Sequence, residues 1–240
     1  MEFFTSYARA DDSNRLLKKF VAAVEGKVRG LTGLSVDHRI AFFDVRDIKT
    51  DNEWREILAE PLQVAKDFVC IVSPTYVTRP VCSKEFAAFV ERYEVWKRDC
   101  QADWKATHPG ELNPPSFIIT IEWEKFLFGA PPAALTRFQT SDDEFPDDYK
   151  IYGLRDFLMF KKPQTKAYVD LVRVVATLVA TAMAAVPPVP PANARPDFDA
   201  PGDLFTIAAE PVRLADAIAA AAGSAIVGKV ENAEGEAEAR

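Results

Sequence analysis

The chain has 240 residues, which is enough for one domain of ordinary size with an appendage or for two small domains. Hydrophobic residues make up 48% of the chain and charged residues 27%, proportions that are typical of a folded globular protein and argue against disorder. The 36 acidic and 29 basic residues give a formal charge of -7 without a run rich in Lys and Arg, so nucleic acid is a poor partner.

The cysteine and histidine residues argue against a disulfide framework and against a metal site. Cys70, Cys82 and Cys100 are odd in number and widely spaced, a pattern that neither a secreted disulfide scaffold nor a zinc site would use. His38 and His108 stand alone, without a second ligand at metal-binding spacing. The sequence therefore predicts a reducing, cytoplasmic environment, no metal and no bound cofactor.

Neither the beginning of the sequence nor its most apolar stretch has the pattern of a secretion signal or a membrane span. Residues 1–12 lack the basic start and the apolar run of a signal peptide. Residues 168–186 are more apolar, but Asp170 and Arg173 interrupt them, and the clean part is shorter than the ~20 residues that a bilayer needs. We interpret this stretch as a core helix and expect no membrane partner.

Strand-like and helix-like segments alternate along the chain. Residues 2–7 (EFFTSY) are β-prone, and residues 11–28 then show helical spacing of apolar side chains. The same order recurs, with predicted strands at 39–44, 68–73 and 115–122, a weaker fifth strand at 150–153, and predicted helices at 52–66, 80–98 and 163–186. Strands that alternate with helices predict an α/β fold whose parallel sheet is covered by helices on both faces.

A proline-rich stretch marks the end of this predicted domain. Its prolines are Pro187, Pro188, Pro190, Pro191, Pro196 and Pro201. Such a density resists regular structure and predicts a semi-rigid linker. The predicted organisation is a domain at 1–186, the linker at 187–203, and a short C-terminal segment at 204–240 that is partly disordered and too small for a core of its own.

Polar side chains follow the predicted strands at the edge where open parallel sheets bind ligands, outside the carboxyl ends of the strands. The candidate substrate-binding residues there are Ser6, Tyr7 and Arg9 after the first strand, Asp44 and Arg46 after the second, and Tyr76 after the third. These segments contain no glycine-rich phosphate loop, so neither a Rossmann fingerprint nor a P-loop is predicted. A nucleotide at this edge has to be held by side chains.

Four motifs in order carry a family resemblance: FFTSYARADD, FFDVRD followed by Trp54, VCIVSPTY and VCSKEF. Over about 95 residues their order and spacing resemble the bacterial Toll/interleukin-1 receptor (TIR) domain, and a weaker likeness through Tyr152, Gly153 and Leu154 extends to residue 186. The resemblance implies a flavodoxin-like, three-layer fold with a five-stranded parallel sheet. Many TIR domains cleave NAD at the nicotinamide-ribose bond, whereas others are non-catalytic adaptors.

Glu85, in the VCSKEF motif, matches the catalytic glutamate of the family, so the resemblance implies a catalytic role for it. Cleavage of the glycosidic bond passes through an oxocarbenium-like state, and a carboxylate beside the ribose stabilises that positive charge or the attacking hydroxyl. The alternative is structural, because the macrodipole favours any acid in the first turn of a helix.

Further residues are candidates for NAD binding, each with a structural alternative. Trp54 either stacks on a base or on nicotinamide, or is a core or partner contact. Arg9 and Arg46 either pair with the diphosphate through their guanidinium groups or are solvated loop residues. Asp44 either fixes the loop that follows it or contacts substrate, and we interpret Cys82 as a small packing residue near the pocket.

The loop at residues 44–53 (DVRDIKTDNE) occupies the place of the segment through which TIR domains stack head to tail. It lacks the Pro-Gly pair that is common there and has Lys49, Thr50 and Asp51 instead, which leaves its role in assembly open. An enzyme that destroys a central cofactor must stay inactive until it is needed. Control by self-association through a head-to-tail contact would achieve this.

The first hypothesis is therefore an NAD glycohydrolase that takes NAD as substrate and is activated by self-association in a bacterial defence or signalling pathway. The rival is a non-catalytic TIR adaptor that recruits partners through homotypic contacts, with residues 204–240 as a further contact for another protein. A nucleoside deoxyribosyltransferase on a similar sheet is a third candidate, but it leaves Trp54 and the Cys-x-x-Glu feature of Cys82 and Glu85 unexplained.

Overall fold

The computed structural model describes residues 1–12, 15–43, 51–109, 116–127, 130–138, 143–184 and 204–205, with the backbone alone for 51–57. Backbone contacts divide the chain into two units. The first unit, Met1–Lys125 with Pro131–Phe205, contains every described helix and strand, and the second joins Phe126–Ala130 to Thr206–Arg240. The predicted linker at 187–203 lies outside the described ranges and stays a prediction.

Four strands within the described ranges form one parallel sheet: β1 (Phe3–Tyr7), β2 (Ala41–Phe42), β3 (Asp67–Val72) and β4 (Ile118–Glu122). The strand order is β2-β1-β3-β4. In the register of the sheet, Phe4 lies between Phe42 and Phe68. The predicted α/β class with a parallel sheet is confirmed, and this strand order is compatible with a flavodoxin-like sheet.

The α-helices of the described ranges are α1 (Leu16–Thr32), α2 (Asp51–Val64), α3 (Pro80–Asp99), α4 (Gln101–Thr107), α5 (Ala133–Thr136), α6 (Asp147–Phe160) and α7 (Lys166–Ala184). Short 3-10 turns at Arg9–Asp12 and Tyr76–Thr78 follow β1 and β3. Four of the helices, α1, α2, α3 and α7, correspond to predicted ones. By contrast, α4 matches no predicted helix, and Trp104 is its one buried side chain.

The predicted fifth strand at residues 150–153 is wrong, because these residues belong to α6. This helix begins after Pro146 and has Asp147 and Asp148 in its first turn, where acidic side chains are favourable. Its buried apolar side chains recur at helical spacing, as at Leu154, Phe157 and Leu158. A stretch as short as KIYG contains no apolar run from which a strand could be distinguished from a helix.

Helices cover both faces of the sheet. On one face, Phe3, Ile71 and Ile119 share a buried core with side chains of α1, α6 and α7. On the other face, the ring of Phe68 lies 4.5 Å from that of Phe89 on α3. Burial on both faces explains the continuous apolar runs of β3 and β4, which leave no polar face for solvent.

The long apolar helix α7 lies in the core of the first unit. In the part of the chain that the structure describes, it is long and apolar enough to cross a bilayer by length and composition alone. However, it packs along α1, and its buried side chains include Leu171, Val175 and Val179. It therefore packs here as a core helix.

Candidate functional site

Three buried polar side chains meet at the carboxyl ends of β1 and β3, which are neighbours in the sheet. Ser6 is the next-to-last residue of β1, Tyr76 begins the 3-10 turn after β3, and Glu85 lies on α3. Their exposed fractions are 1%, 0% and 6%, respectively. We call Ser6, Tyr76 and Glu85 the Glu85 network.

A directed chain of hydrogen bonds joins the Glu85 network. The Oγ of Ser6 donates to Oε2 of Glu85 at 2.5 Å, and it lies 2.9 Å from the hydroxyl of Tyr76. Because the single hydroxyl proton of Ser6 goes to Glu85, the hydroxyl of Tyr76 is the donor to Ser6. Ser6 thus fixes one oxygen of the carboxylate by a charge-assisted hydrogen bond.

The position of Glu85 within α3 removes the structural alternative that the sequence leaves open. The helix begins at Pro80, so Glu85 is its sixth residue, and the first turn holds no acidic side chain. The alternative that places Glu85 in the first turn is therefore wrong: the helix begins at Pro80, as the sequence predicts, and Glu85 lies in its second turn. The macrodipole acts mainly within the first turn and does not account for this buried carboxylate.

The groups around Glu85 are held in their neutral, hydrogen-donating forms. Burial raises the pKa of Tyr76 well above its usual range, and the negative charge of Glu85 raises it further. Burial, assisted by the charge of Glu85, likewise raises the pKa of the Cys82 thiol. Cys82 donates from Sγ to the carbonyl oxygen of Tyr7 at 3.7 Å. It is therefore a packing residue and not a thiolate nucleophile.

A second pair of side chains ties the turn after β1 to the turn after β3. The Oγ of Ser73 donates to Oδ2 of Asp11 at 2.6 Å and accepts from the backbone N–H of Tyr76 at 2.8 Å. Burial raises the pKa of Asp11, although the hydrogen bond from Ser73 opposes this. The pair of Ser73 and Asp11 fixes the turn that carries Tyr76, and so stabilises the position of Tyr76 in the Glu85 network.

A cavity of about 650 Å³ lies between α1 and the ends of β1 and β2, on the α1 side of the sheet, whereas the Glu85 network lies on the α3 side. One wall contains Tyr7 and Phe43, whose rings stack 4.8 Å apart at an angle of 4°. Its basic side chains are Arg9, Arg15, Lys18 and Arg39, and its acidic side chains are Asp12 and Glu25. An aromatic wall with an excess of guanidinium groups suits an anionic ligand with a planar ring.

The backbone at the entrance of α1 is strained. Arg15 has φ 55° and ψ 23°, a left-handed conformation that non-glycine residues rarely adopt. Its backbone N–H donates to the carbonyl of Asp12, and the carboxylate of Asp12 accepts from the N–H of Leu17 at 2.9 Å. The strain therefore directs the start of α1, and with it Arg15 and Lys18, at the cavity.

The structure brings some of the predicted site residues together and leaves others undescribed. Ser6, Tyr76 and Cys82 surround Glu85, while Tyr7 and Arg9 line the cavity. Asp44 and Arg46 lie outside the described residues, and so does the side chain of Trp54 on α2. Among the residues that the structure describes, the cavity wall includes Tyr7 but not Glu85.

The sequence analysis missed the basic residues that α1 and the start of β2 contribute to the cavity. Arg15 and Lys18 share a face of α1 with Glu25, and this spacing was available as a signal once the helix was predicted. Arg39 lies before the amino end of β2, whereas the site is expected at the carboxyl ends of the strands. No local pattern therefore indicates a functional role for Arg39. Ser73 and Asp11 follow predicted strands, but their mutual contact is tertiary.

Comparison of the chain with protein-family models, with curated proteins and with solved structures finds no match.

Proposed function

We propose that the chain is a TIR-like NAD glycohydrolase with Glu85 as its catalytic carboxylate. The Glu85 network supports this most: a buried carboxylate, anchored by Ser6 at 2.5 Å, lies at the edge where open parallel sheets bind ligands. A flavodoxin-like topology belongs to the same proposal, and the order β2-β1-β3-β4 supports it. A cytoplasmic role in defence or signalling is the setting that we infer.

The proposed reaction breaks the bond between C1′ of ribose and N1 of nicotinamide. The bonding electron pair leaves with nicotinamide, which becomes neutral, and C1′ becomes oxocarbenium-like. Water adds to C1′ and loses a proton, so the products are ADP-ribose, nicotinamide and one proton. The carboxylate of Glu85 stabilises the developing positive charge, and its effect is larger in a buried site than in open water.

The cavity on the α1 side of the sheet supplies the binding part of the proposal. Arg9, with the neighbouring basic side chains, pairs with the diphosphate, and the stacked rings of Tyr7 and Phe43 form a wall for a planar base. Tyr7 belongs to the cavity and also contacts Cys82 through its carbonyl, so the two regions are adjacent. Asp44, Arg46 and Trp54 remain predicted substrate contacts.

The alternative function is a non-catalytic adaptor that acts through homotypic TIR contacts. The exposed fraction of Glu85, 6%, favours this alternative, because a carboxylate that touches ribose has to be reached by substrate. Activation by self-association reconciles this burial with catalysis, since assembly can rearrange the loop at residues 44–53 and the site beside it. The glycohydrolase and the adaptor are therefore both expected to self-associate, and only the glycohydrolase is expected to turn over NAD.

The deciding experiment measures nicotinamide release by the full-length protein, chromatographically, from about 1 µM to about 100 µM protein. We expect release per subunit to rise with concentration, and Glu85→Gln to lower it by about a hundredfold or more. Glu91→Gln, at an exposed position of the same helix, is the matched control and should behave as wild type. Equal residual release by wild type and Glu85→Gln at every concentration would support the adaptor.

A further inference from the structure

Two residues far along the chain pack directly on the Glu85 network. Phe205 follows the end of α7 by 21 positions, yet its exposed fraction is 1%. The centroid of its ring lies 5.6 Å from that of Tyr76 and 5.4 Å from that of Phe86. The backbone N–H of Leu204 donates to Oγ of Ser83 at 3.0 Å. A backbone hydrogen bond and a buried ring thus seat this pair of residues, which we call the 204–205 segment.

The contacts of the 204–205 segment fall on both sides of Glu85. Ser83 and Phe86 precede and follow it on α3, and Tyr76 is a member of its hydrogen-bonded network. The segment therefore covers the part of α3 that carries the carboxylate. With the segment in place, Glu85 is 6% exposed, although it lies at the edge of the sheet that is normally open to ligands.

The sequence before the 204–205 segment has the composition of a linker. Residues 187–203 carry six prolines, which disfavour helix and strand and make a spacer of limited stiffness. The segment presents the ring of Phe205 and the N–H of Leu204 to the domain, and neither residue belongs to a helix or a strand. The domain core of α1, α7 and the sheet does not include Phe205.

We propose that the 204–205 segment is an intrachain plug, which closes the Glu85 site and has to leave before a substrate reaches the carboxylate. The identity of that substrate as NAD rests on the proposed function, whereas the plug itself rests on the contacts of Leu204 and Phe205. Whatever captures or displaces this segment then acts as an activator. The closed arrangement is the resting state, and the enzyme is latent in it.

The accessibility of position 85 to a small reagent can be measured independently of catalysis. In a full-length Cys100→Ser background, Glu85→Cys introduces a thiol at the covered position, and its alkylation rate by iodoacetamide is followed by peptide mass mapping. We expect Phe205→Ala to raise that rate by about tenfold or more, because the open fraction increases. Phe160→Ala, at an exposed position of α6, is the matched control and should leave the rate unchanged.

Cys70 is an internal control for unfolding, since it lies in β3 with 0% exposure. Release of the plug accelerates alkylation of the introduced thiol while Cys70 stays slow. Should Phe205→Ala expose both thiols together, Ser83→Ala replaces it, because this variant removes the acceptor for the N–H of Leu204 and leaves the ring of Phe205 in place. Phe205→Leu, which keeps an apolar side chain, should restore most of the protection.

Nicotinamide release by Phe205→Ala, with Glu85 intact, is the second arm. A rise in both alkylation and release supports the plug and the proposed function together. Faster alkylation with no release by any variant leaves the plug standing and overturns the glycohydrolase. Unchanged alkylation at the introduced thiol with Phe205→Ala and with Ser83→Ala overturns the plug, whatever the release shows.

Discussion

At the scale of single residues, Ser6 determines how the carboxylate of Glu85 is held. Its hydroxyl accepts from Tyr76 and donates to Glu85, so one small side chain on β1 orients a group that lies 79 positions later in the chain. A serine also fits where the sheet and α3 approach closely, and its exposed fraction is 1%. These two hydrogen bonds give Ser6 a positioning role toward Glu85.

Ser6→Ala should lower both stability and turnover. It removes the donor to a buried carboxylate, a loss of about 1–3 kcal/mol in the free energy of unfolding. Under the proposed function, kcat should fall by about tenfold or more with a smaller change in KM, because the carboxylate is misplaced while the binding cavity is intact. Urea denaturation and steady-state kinetics measure the two effects.

Thr5→Val is the matched control for Ser6→Ala. Thr5 precedes Ser6 on β1, points to the other face of the sheet, and is buried with an Oγ1 that makes no hydrogen bond to the described residues. Valine keeps the shape and removes an unsatisfied hydroxyl, so stability should be unchanged or higher. A loss of turnover in Thr5→Val equal to that in Ser6→Ala would contradict the positioning role.

At the scale of elements, the join between α6 and β4 depends on one glycine. Gly153 interrupts the helix with φ 80° and ψ 175°, a conformation essentially restricted to glycine. A Cβ atom there would lie 2.9 Å from the carbonyl oxygen of Trp123, the residue that follows β4. That same carbonyl accepts from the N–H of Arg155 at 3.0 Å. Gly153 thus permits the backbone of α6 to approach the backbone at the end of β4 closely.

Gly153→Ala should destabilise the first unit by about 1–3 kcal/mol from backbone strain alone, before the clash with Trp123 is added. Gly30→Ala is the control, because Gly30 lies inside α1 and an added Cβ meets nothing within 4 Å. This control should raise stability by about 0.5–1 kcal/mol. Thermal unfolding followed by circular dichroism distinguishes them, and equal melting temperatures for the two variants would refute the close-approach argument.

At the scale of the whole molecule, the sheet keeps its two ends chemically different. The carboxyl ends of the strands carry the Glu85 network, whereas the opposite ends carry a buried charge cluster. There, burial opposes the ionisation of Glu2, but hydrogen bonds from Lys66 and His38 outweigh it and lower its pKa. Asp67 is 0% exposed, and neither of its carboxyl oxygens makes a hydrogen bond within the described ranges.

Asp67 should make the molecule less stable as the pH rises. Burial raises its pKa well above the ordinary value of 3.8, the negative charge of Glu2 adds to this, and Lys66 and Arg92 oppose it. Above pH 3.8 the folded state keeps a proton that the unfolded chain has released, so the free energy of unfolding falls until the pH reaches the raised pKa. The largest slope for one proton is about 1.4 kcal/mol per pH unit.

Asp67→Asn should remove this contribution. Urea denaturation between about pH 5 and about pH 8 should give a flatter curve for the variant than for wild type, with the greatest relative gain in stability at the high end. Asp37→Asn changes an exposed aspartate and should keep the wild-type slope. Parallel curves for wild type and Asp67→Asn would show that this carboxyl is ionised in the folded state.

The sequence by itself determined the class of fold. Strands that are buried on both faces require continuous apolar runs, and the helices that cover them require apolar side chains at helical spacing. The strands β1 and β4 fall within the segments so predicted, and β3 begins one residue before its predicted segment. Ser6, Tyr76 and Cys82, which surround Glu85, are among the residues that the sequence predicts for the site. The prediction of a fifth strand was wrong, because a segment of four residues is too short to show either periodicity. The acidic residues of its first turn and its buried side chains show that this segment belongs to α6.

Only the tertiary structure decided what surrounds the carboxylate. The hydrogen bond from Ser6 to Glu85 spans 79 positions, and that from Leu204 to Ser83 spans 121. Local patterns report which face of an element is buried, but not which distant residue meets it there. For the same physical reason, the position of Arg39 in the cavity wall and the packing of the ring of Phe205 leave no trace in the periodicity of the sequence.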